Sequence, residues 1–188
     1  ASASSTDVQG TLGTASADRI SVSGRTQPDH QAILDFCRTA AEKEKVGFRT
    51  EVDRRSASRE DALAQIEASA KRIASQSSQE EGLKKSTALW RLKKDVGYLK
   101  TQLPREARAL GELRDAAVQR VMARASDALI EAEKKHSEPD NQRKQHLKEA
   151  REWLKQERRD TLSLLDEIRE DDISQARTRI AWVTKELS

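Results

Sequence analysis

The histidines and the single cysteine are the residues most often used for metal binding and covalent catalysis. His30, His136 and His146 fall at a helix start, a helix end and the start of the next helix, without an H-E-x-x-H motif. Pairing of His136 and His146 across the predicted turn is possible, but two nitrogens without a third ligand make a poor zinc site. Cys37 follows Phe36 on an apolar stripe, where a thiol is usually a small buried hydrophobe. We therefore expect no metal, no cofactor and no cysteine nucleophile.

The densest acidic cluster offers carboxylates for calcium binding or acid-base catalysis. A calcium loop needs a glycine turn and irregular backbone, whereas this cluster lies within a helical pattern and its side chains fan around the axis. Catalytic carboxylates need a concave, partly dry pocket, which a narrow helical rod does not offer. We expect a solvated face that docks a basic partner at most, no enzyme activity and no small-molecule substrate. The cluster comprises Asp166, Glu167, Glu170, Asp171 and Asp172.

Two basic clusters are more informative about binding. The segment from Lys84 to Arg108 has a local excess of positive charge, and the stripe from Lys144 to Arg158 steps by four and three along one helical face. Such stripes suit lipid headgroups, nucleic acid or an acidic protein surface. Solvation of a helix, with pairing to nearby glutamates, is an equally weighted alternative. The candidate polyanion-facing residues are Lys84, Lys85, Arg91, Lys93, Lys94, Lys144, Lys148, Arg151, Lys155 and Arg158.

Tryptophans and a leucine seam provide candidate protein contacts. Each tryptophan lies one residue from an apolar seam position, where rigid amphipathic rings are common at interfaces, although covering the chain's own core is slightly favoured. A run of apolar residues from Leu89 onward has the heptad spacing that keeps one seam against a partner helix. The candidate interface residues are Trp90, Trp153, Trp182, Leu89, Leu92, Val96 and Leu99.

The composition limits the class of protein. Only 35% of the residues are hydrophobic and 36% are charged, so a thick globular core is not expected. Lys and Arg number 35 against 32 Asp and Glu, which differs from the one-signed excess of a polyelectrolyte or a histone-like protein. The apolar runs fall far short of the roughly 20 residues that cross a bilayer. We expect an intracellular protein, with the cytoplasm as its compartment.

The chain divides into a tail and a helical rod. Residues 1–27 are rich in Ser, Thr and Gly and predict a flexible, disordered tail. From 28 to 188 the residues are mainly strong helix formers. Turn signals divide this rod into helices at about 28–76, 80–136 and 140–188, each roughly 75 Å long at 1.5 Å per residue. Similar lengths and tight turns predict an all-α, elongated, antiparallel three-helix bundle or coiled coil.

Two positions leave the course of the helices open. Ser58 begins an S-x-x-D cap pattern, so a break near Ser56–Ser58 and a continuous helix are weighted equally. Pro104 either opens a new helix or kinks a continuous one. We favour the kink because no cluster of turn-forming residues accompanies the proline.

Alanine-rich seams bury little area for each residue, so we expect another chain to complete one face of the rod. The leading hypothesis is a non-catalytic structural or adaptor subunit, or scaffold, of a larger assembly, acting through coiled-coil contacts with protein partners or with a second copy. The alternative is a membrane-surface binder with an architecture similar to BAR domains, in helix count and charge only, which presents basic stripes to anionic lipid. A nucleic-acid-associated protein is a weaker alternative, because no zinc module or basic-zipper pattern accompanies the basic residues.

Overall fold

The computed structural model describes residues 29–76, 82–135 and 140–188. These residues form three α-helices and no strand: α1 (Asp29–Ser75), α2 (Gly82–Lys135) and α3 (Asp140–Glu186). The prediction of an all-α three-helix bundle is thus confirmed. The tail predicted for residues 1–27 lies outside the described residues.

The helix breaks considered from the sequence do not occur in the described chain. α1 continues through Ser56–Ser58, and α2 is a single helix that contains Pro104. Of the two alternatives at Ser58, the continuous helix is the one observed, because a serine costs a helix only about 0.5 kcal/mol, which tertiary contacts easily exceed. Arg59, in the turn that a cap at Ser58 would interrupt, is buried at 7% exposure.

The core consists of two apolar clusters along the rod. The smaller cluster contains mainly short side chains from the first part of α1, the end of α2 and the start of α3. The larger cluster joins the rest of α1 to the first part of α2 and the last part of α3. The fully buried large side chains of the bundle include Leu92, Leu110, Val121, Leu165, Ile173 and Val183.

A polar contact lies between the two clusters. Lys45 Nζ is 3.3 Å from Glu157 Oε1, and both side chains are mostly shielded from solvent. The hydroxyl of Thr161, which is fully buried, donates to the same carboxylate oxygen at 3.2 Å. The two apolar clusters are therefore separated by shielded polar groups, which would be costly to leave without their hydrogen-bond partners.

Arg59 joins all three helices. Its Nε donates to Glu106 of α2 at 2.7 Å, and its Nη2 donates to Asp172 of α3 at 2.8 Å. The arginine side chain is 5% exposed and that of Asp172 is 10% exposed. A register shift of either neighbouring helix would leave a buried charge without its partner, which is costly.

The other ion pairs between helices agree with this alignment. Along α1, Glu44 meets Arg120 of α2, whereas the later Arg59 meets the earlier Glu106. Between α1 and α3 the residue numbers of both partners increase together, because Lys45 contacts Glu157 and the later Arg59 contacts the later Asp172. This order is the one expected for an up-down-up course of the helices.

Removing a buried leucine should destabilise the bundle far more than removing an exposed one from the same helix. Leu165 is fully buried and Leu162 is 37% exposed. We expect Leu165→Ala to lower the free energy of unfolding by about 2–5 kcal/mol, because it leaves a cavity, and Leu162→Ala to cost less than about 1 kcal/mol. Urea unfolding followed by circular dichroism measures both. Equal losses would contradict this packing of α3.

The Arg59 ion cluster gives a second prediction. Arg59→Met should cost about 3–5 kcal/mol, because it leaves the carboxylate of Asp172 shielded and unpaired. The triple variant Arg59→Met, Glu106→Leu, Asp172→Leu should recover most of the loss, because no charge remains buried. Arg54→Met is the control: its contact with Glu51 is exposed and stays within one helix, so the free energy of unfolding should be almost unchanged. If Arg59→Met were as stable as the wild type, the ion cluster would not be what fixes the register of the helices.

The pair formed by Glu44 and Arg120 predicts a dependence on pH. Two hydrogen bonds from Arg120, at 2.9 and 2.8 Å, hold the pKa of Glu44 below its usual range. A lowered folded-state pKa stabilises the protein above the unfolded pKa of about 4.3, and this contribution is lost as pH falls through the folded value. Glu44→Gln should therefore be less stable than wild type at pH 7, and the difference should vanish in strong acid. Melting curves from neutral pH down to strong acid test this prediction, and the exposed Glu152→Gln is the control for the loss of one surface carboxylate.

Candidate functional site

Exposed aromatic rings and cations share the outer side of α2 near its start. Trp90 is 61% exposed and Tyr98 is 64% exposed. Lys94 lies between them at helical spacing, so all three residues lie on one side of the helix. Its Nζ is 5.3 Å from the centroid of the Trp90 ring, within the range of a cation–π contact. Because both rings are largely exposed to solvent, a partner could pack against them.

The cations around these rings are not neutralised by the chain. Several cations elsewhere are paired across helices: Arg120 binds Glu44, Arg151 binds Glu133, and Arg179 binds Glu60. Exposed cations such as Arg72, Arg124 and Lys148 form no ion pair within the described residues, but they are not gathered around exposed rings. Within the described ranges, the cations of the first half of α2 and two cations near the end of α3 form no ion pair. We call this set the basic surface: Lys85, Arg91, Lys93, Lys94, Lys100, Arg105, Arg108, Arg177 and Lys185.

A groove of about 470 Å³ lies beside these residues, between α2 and α3. Its floor includes Leu103 and Ile180, which are both 4% exposed. Three cations of the basic surface stand at the groove. The lining residues are Lys100, Leu103 and Pro104 from α2, and Arg177, Ile180, Ala181, Thr184, Lys185 and Ser188 from the end of the chain.

The polar groups of the groove are unusual for a helix surface. Thr184 donates its hydroxyl to the carbonyl of Ile180 at 2.9 Å, so that hydroxyl hydrogen is already used. Pro104 has no amide hydrogen, and the carbonyl of Lys100, one turn earlier, therefore lacks its usual helical donor. The groove thus combines an apolar floor, positive charge and a backbone acceptor. Sequence reasoning considered Pro104 only as a kink or as the start of a new helix and missed the groove, although a helical proline always opens an acceptor four residues earlier.

The structure separates the predicted interface residues into two groups. Leu92, Val96 and Leu99 are 2–7% exposed and pack inside the larger core cluster. Their heptad seam faces the chain's own helices, so it provides no outer surface. Leu89 is half-buried, and Trp90 alone of this α2 set is well exposed.

The other two tryptophans lie at opposite ends of α3. Trp153 is half-buried against the smaller core cluster, with the guanidinium of Arg38 5.6 Å from its ring centroid. Trp182 is 37% exposed, with Lys71 Nζ 5.9 Å from its ring. Only Trp182 therefore belongs to the end of the rod that carries the basic surface.

The two predicted basic clusters do not form one site. Arg151 contacts Glu133 near the end of α2 at 2.8 Å, which puts the stripe from Lys144 to Arg158 beside the smaller core cluster. Lys155 is 3.6 Å from Glu152, so this stripe is partly neutralised. Lys144, Lys148 and Arg158 are exposed. The side chain of Lys84 lies outside the described residues.

The acidic cluster is only partly the solvated face that was predicted. Asp172 is held by Arg59, and Asp166 accepts hydrogen bonds from Arg114 and Arg169. Partial burial opposes ionisation of Asp166, but these two guanidinium groups still keep its pKa below the usual range. These carboxylates brace the bundle, a role that depends on cations from other helices and leaves no mark in the local sequence.

The described residues contain no group of three side chains that could hold a metal ion. Cys37 is fully buried, and burial together with the charge of Glu157 raises the pKa of its thiol to about 11. The thiol is therefore protonated at neutral pH and is a poor nucleophile. His146 is half-buried, while His136 and the side chain of His30 lie outside the described residues.

Comparisons of the chain with protein-family models, with curated proteins and with solved structures return no match. Among the described helices, none has both the length and the apolar character required to cross a membrane. Function must therefore be inferred from the chain's own surface, where the basic surface, its exposed rings and the groove are the features of interest.

Proposed function

We propose that the chain is a non-catalytic adaptor subunit that binds an acidic protein partner through the basic surface. The observation that carries this proposal is the concentration of unpaired cations around Trp90 and Tyr98, which are both more than half exposed. Interfaces are enriched in tryptophan, tyrosine and arginine, and these residues supply most of the binding energy at such sites. The unpaired cations would steer an acidic partner and select against basic ones.

The distribution of the cations around α2 favours a protein over a bilayer. At about 100° for each residue, Lys93 and Arg91 point roughly 160° apart around the helix axis. A flat lipid surface cannot contact both sides of one helix at once. A protein partner can surround the helix, and it can also enter the groove.

The bundle presents this surface without rearrangement. The apolar seam of α2 is already buried against α1 and α3, so binding need not open the core. The described lining of the groove includes no carboxylate or imidazole side chain that could act as a general base, which supports binding rather than catalysis. A rigid helical face also keeps the entropic cost of binding low.

A charge-reversal experiment tests this function. Native complexes are isolated from the source cells with the tagged full chain, and then with the triple variant Lys93→Glu, Lys94→Glu, Arg105→Glu. We expect the triple variant to lose its partner, with affinity lower by on the order of tenfold or more, because three cations now repel an acidic surface. The control triple variant Lys144→Glu, Lys148→Glu, Arg158→Glu has the same change in charge on exposed positions of α3 and should retain the partner.

Two results would contradict the proposal. Retention of the partner by both triple variants would show that the basic surface is not the interface. Tight sedimentation of the wild-type chain with phosphatidylserine vesicles at about 0.15 M salt, lost in the α2 variant, would favour the membrane-surface alternative. Circular dichroism confirms that each variant keeps its helices.

A further inference from the structure

We infer that the groove between α2 and α3 seats one bulky apolar side chain of an acidic helical segment of the partner, with acidic residues four positions before and four positions after that anchor. This inference rests on the proposed function, because it specifies which part of the acidic partner docks. It concerns the groove and the three cations beside it, whereas the charge reversal that tests the proposed function changes cations of α2 outside the groove.

The shape of the groove fits an anchor residue. Its volume of about 470 Å³ is in the range of clefts that enclose ligands, roughly 300–1,000 Å³. Leu103 and Ile180 form an apolar floor, and Ala181 has only a methyl group to fill the space above it. Anchors in such pockets commonly dominate the energy of an interface.

The spacing of the cations fits a helix. Arg177 and Lys185 are separated along α3 by roughly 12 Å, at 1.5 Å for each residue. Positions four before and four after an anchor are also about 12 Å apart in a second helix, so their carboxylates match the two cations. Lys100 on the opposite wall adds a third positive charge.

The open carbonyl of Lys100 favours a polypeptide over a fatty acid. This carbonyl lacks the donor that Pro104 cannot supply, and the indole N–H of a tryptophan anchor can donate to it. A fatty acyl chain offers no donor along its length. The charge of the groove alone would suit either ligand, so the experiment must separate them.

The probe is a fluorescein-labelled 15-residue helical peptide with tryptophan at the centre and glutamate four residues to each side. Fluorescence anisotropy with the full chain should show saturable binding, which is lost when the peptide's tryptophan is replaced by alanine. Ala181→Trp should weaken binding by about thirtyfold or more, because the new ring fills the anchor space. Ser163→Trp, the same type of change at an exposed position earlier in α3, should bind as wild type.

Charge provides a second, independent variant. Arg177→Glu changes an exposed side chain and should leave the fold intact, even if Ala181→Trp does not fold. It should weaken peptide binding by about tenfold. Its matched control is Arg159→Glu, an exposed arginine 18 residues earlier in α3 and so about 27 Å away. The control should bind normally.

The outcomes distinguish this inference from the proposed function. Equal binding of the tryptophan and alanine peptides, or unchanged binding by both groove variants, would overturn the groove inference. Displacement of the peptide by oleate at lower concentrations than by unlabelled peptide would assign the groove to a lipid and would also overturn it. If the α2 charge reversal abolishes capture of the native partner but the groove variants do not, the proposed function stands and this inference fails. If neither change affects capture, both fail.

Discussion

The buried guanidinium of Arg59 is the interaction on which the alignment of the three helices most depends. Apolar contacts are non-directional, so seams of alanine and leucine define the alignment of the helices less strictly than a buried ion pair does. A shift would separate Arg59 from Glu106 and Asp172 and leave ions shielded from water. The groove lies only a few residues beyond these carboxylates, so the same ion cluster aligns Pro104 with Arg177.

The distribution of charge matters more than its total. The net charge of +3 suggests a nearly neutral protein. The carboxylates, however, are distributed unevenly along the helices. Acidic residues near the middle of the rod form ion pairs with cations of neighbouring helices, as Asp172 does with Arg59 and Glu44 does with Arg120. The first half of α2 has few carboxylates, and Glu106 among them is already bound. The end of the rod with the basic surface therefore retains a positive potential that the overall composition conceals.

Local patterns predicted the helices well, because propensity and apolar periodicity are properties of neighbouring residues. The predicted helix at 28–76 corresponds to Asp29–Ser75. Local patterns were insufficient where residues distant in the sequence determine the structure. The cap pattern at Ser58 left a helix break open, and the burial of Arg59 outweighs it. The heptads at Leu92 indicated a partner helix, but they could not show that this helix belongs to the same chain. The groove could not be predicted, because its walls come from residues more than seventy positions apart, such as Lys100 and Arg177.

The two core clusters give the ends of the rod different mechanical properties. The smaller cluster relies on short side chains such as Ala125, Ala132 and Ala150, which bury little area, so this end should open at lower free energy than the rest. The groove floor belongs to the larger cluster, through Leu103 and Ile180. The layer with Lys45 and Glu157 separates the two clusters. A ligand in the groove would therefore stabilise the end that is already rigid, and fraying at the other end would leave the binding surface unchanged.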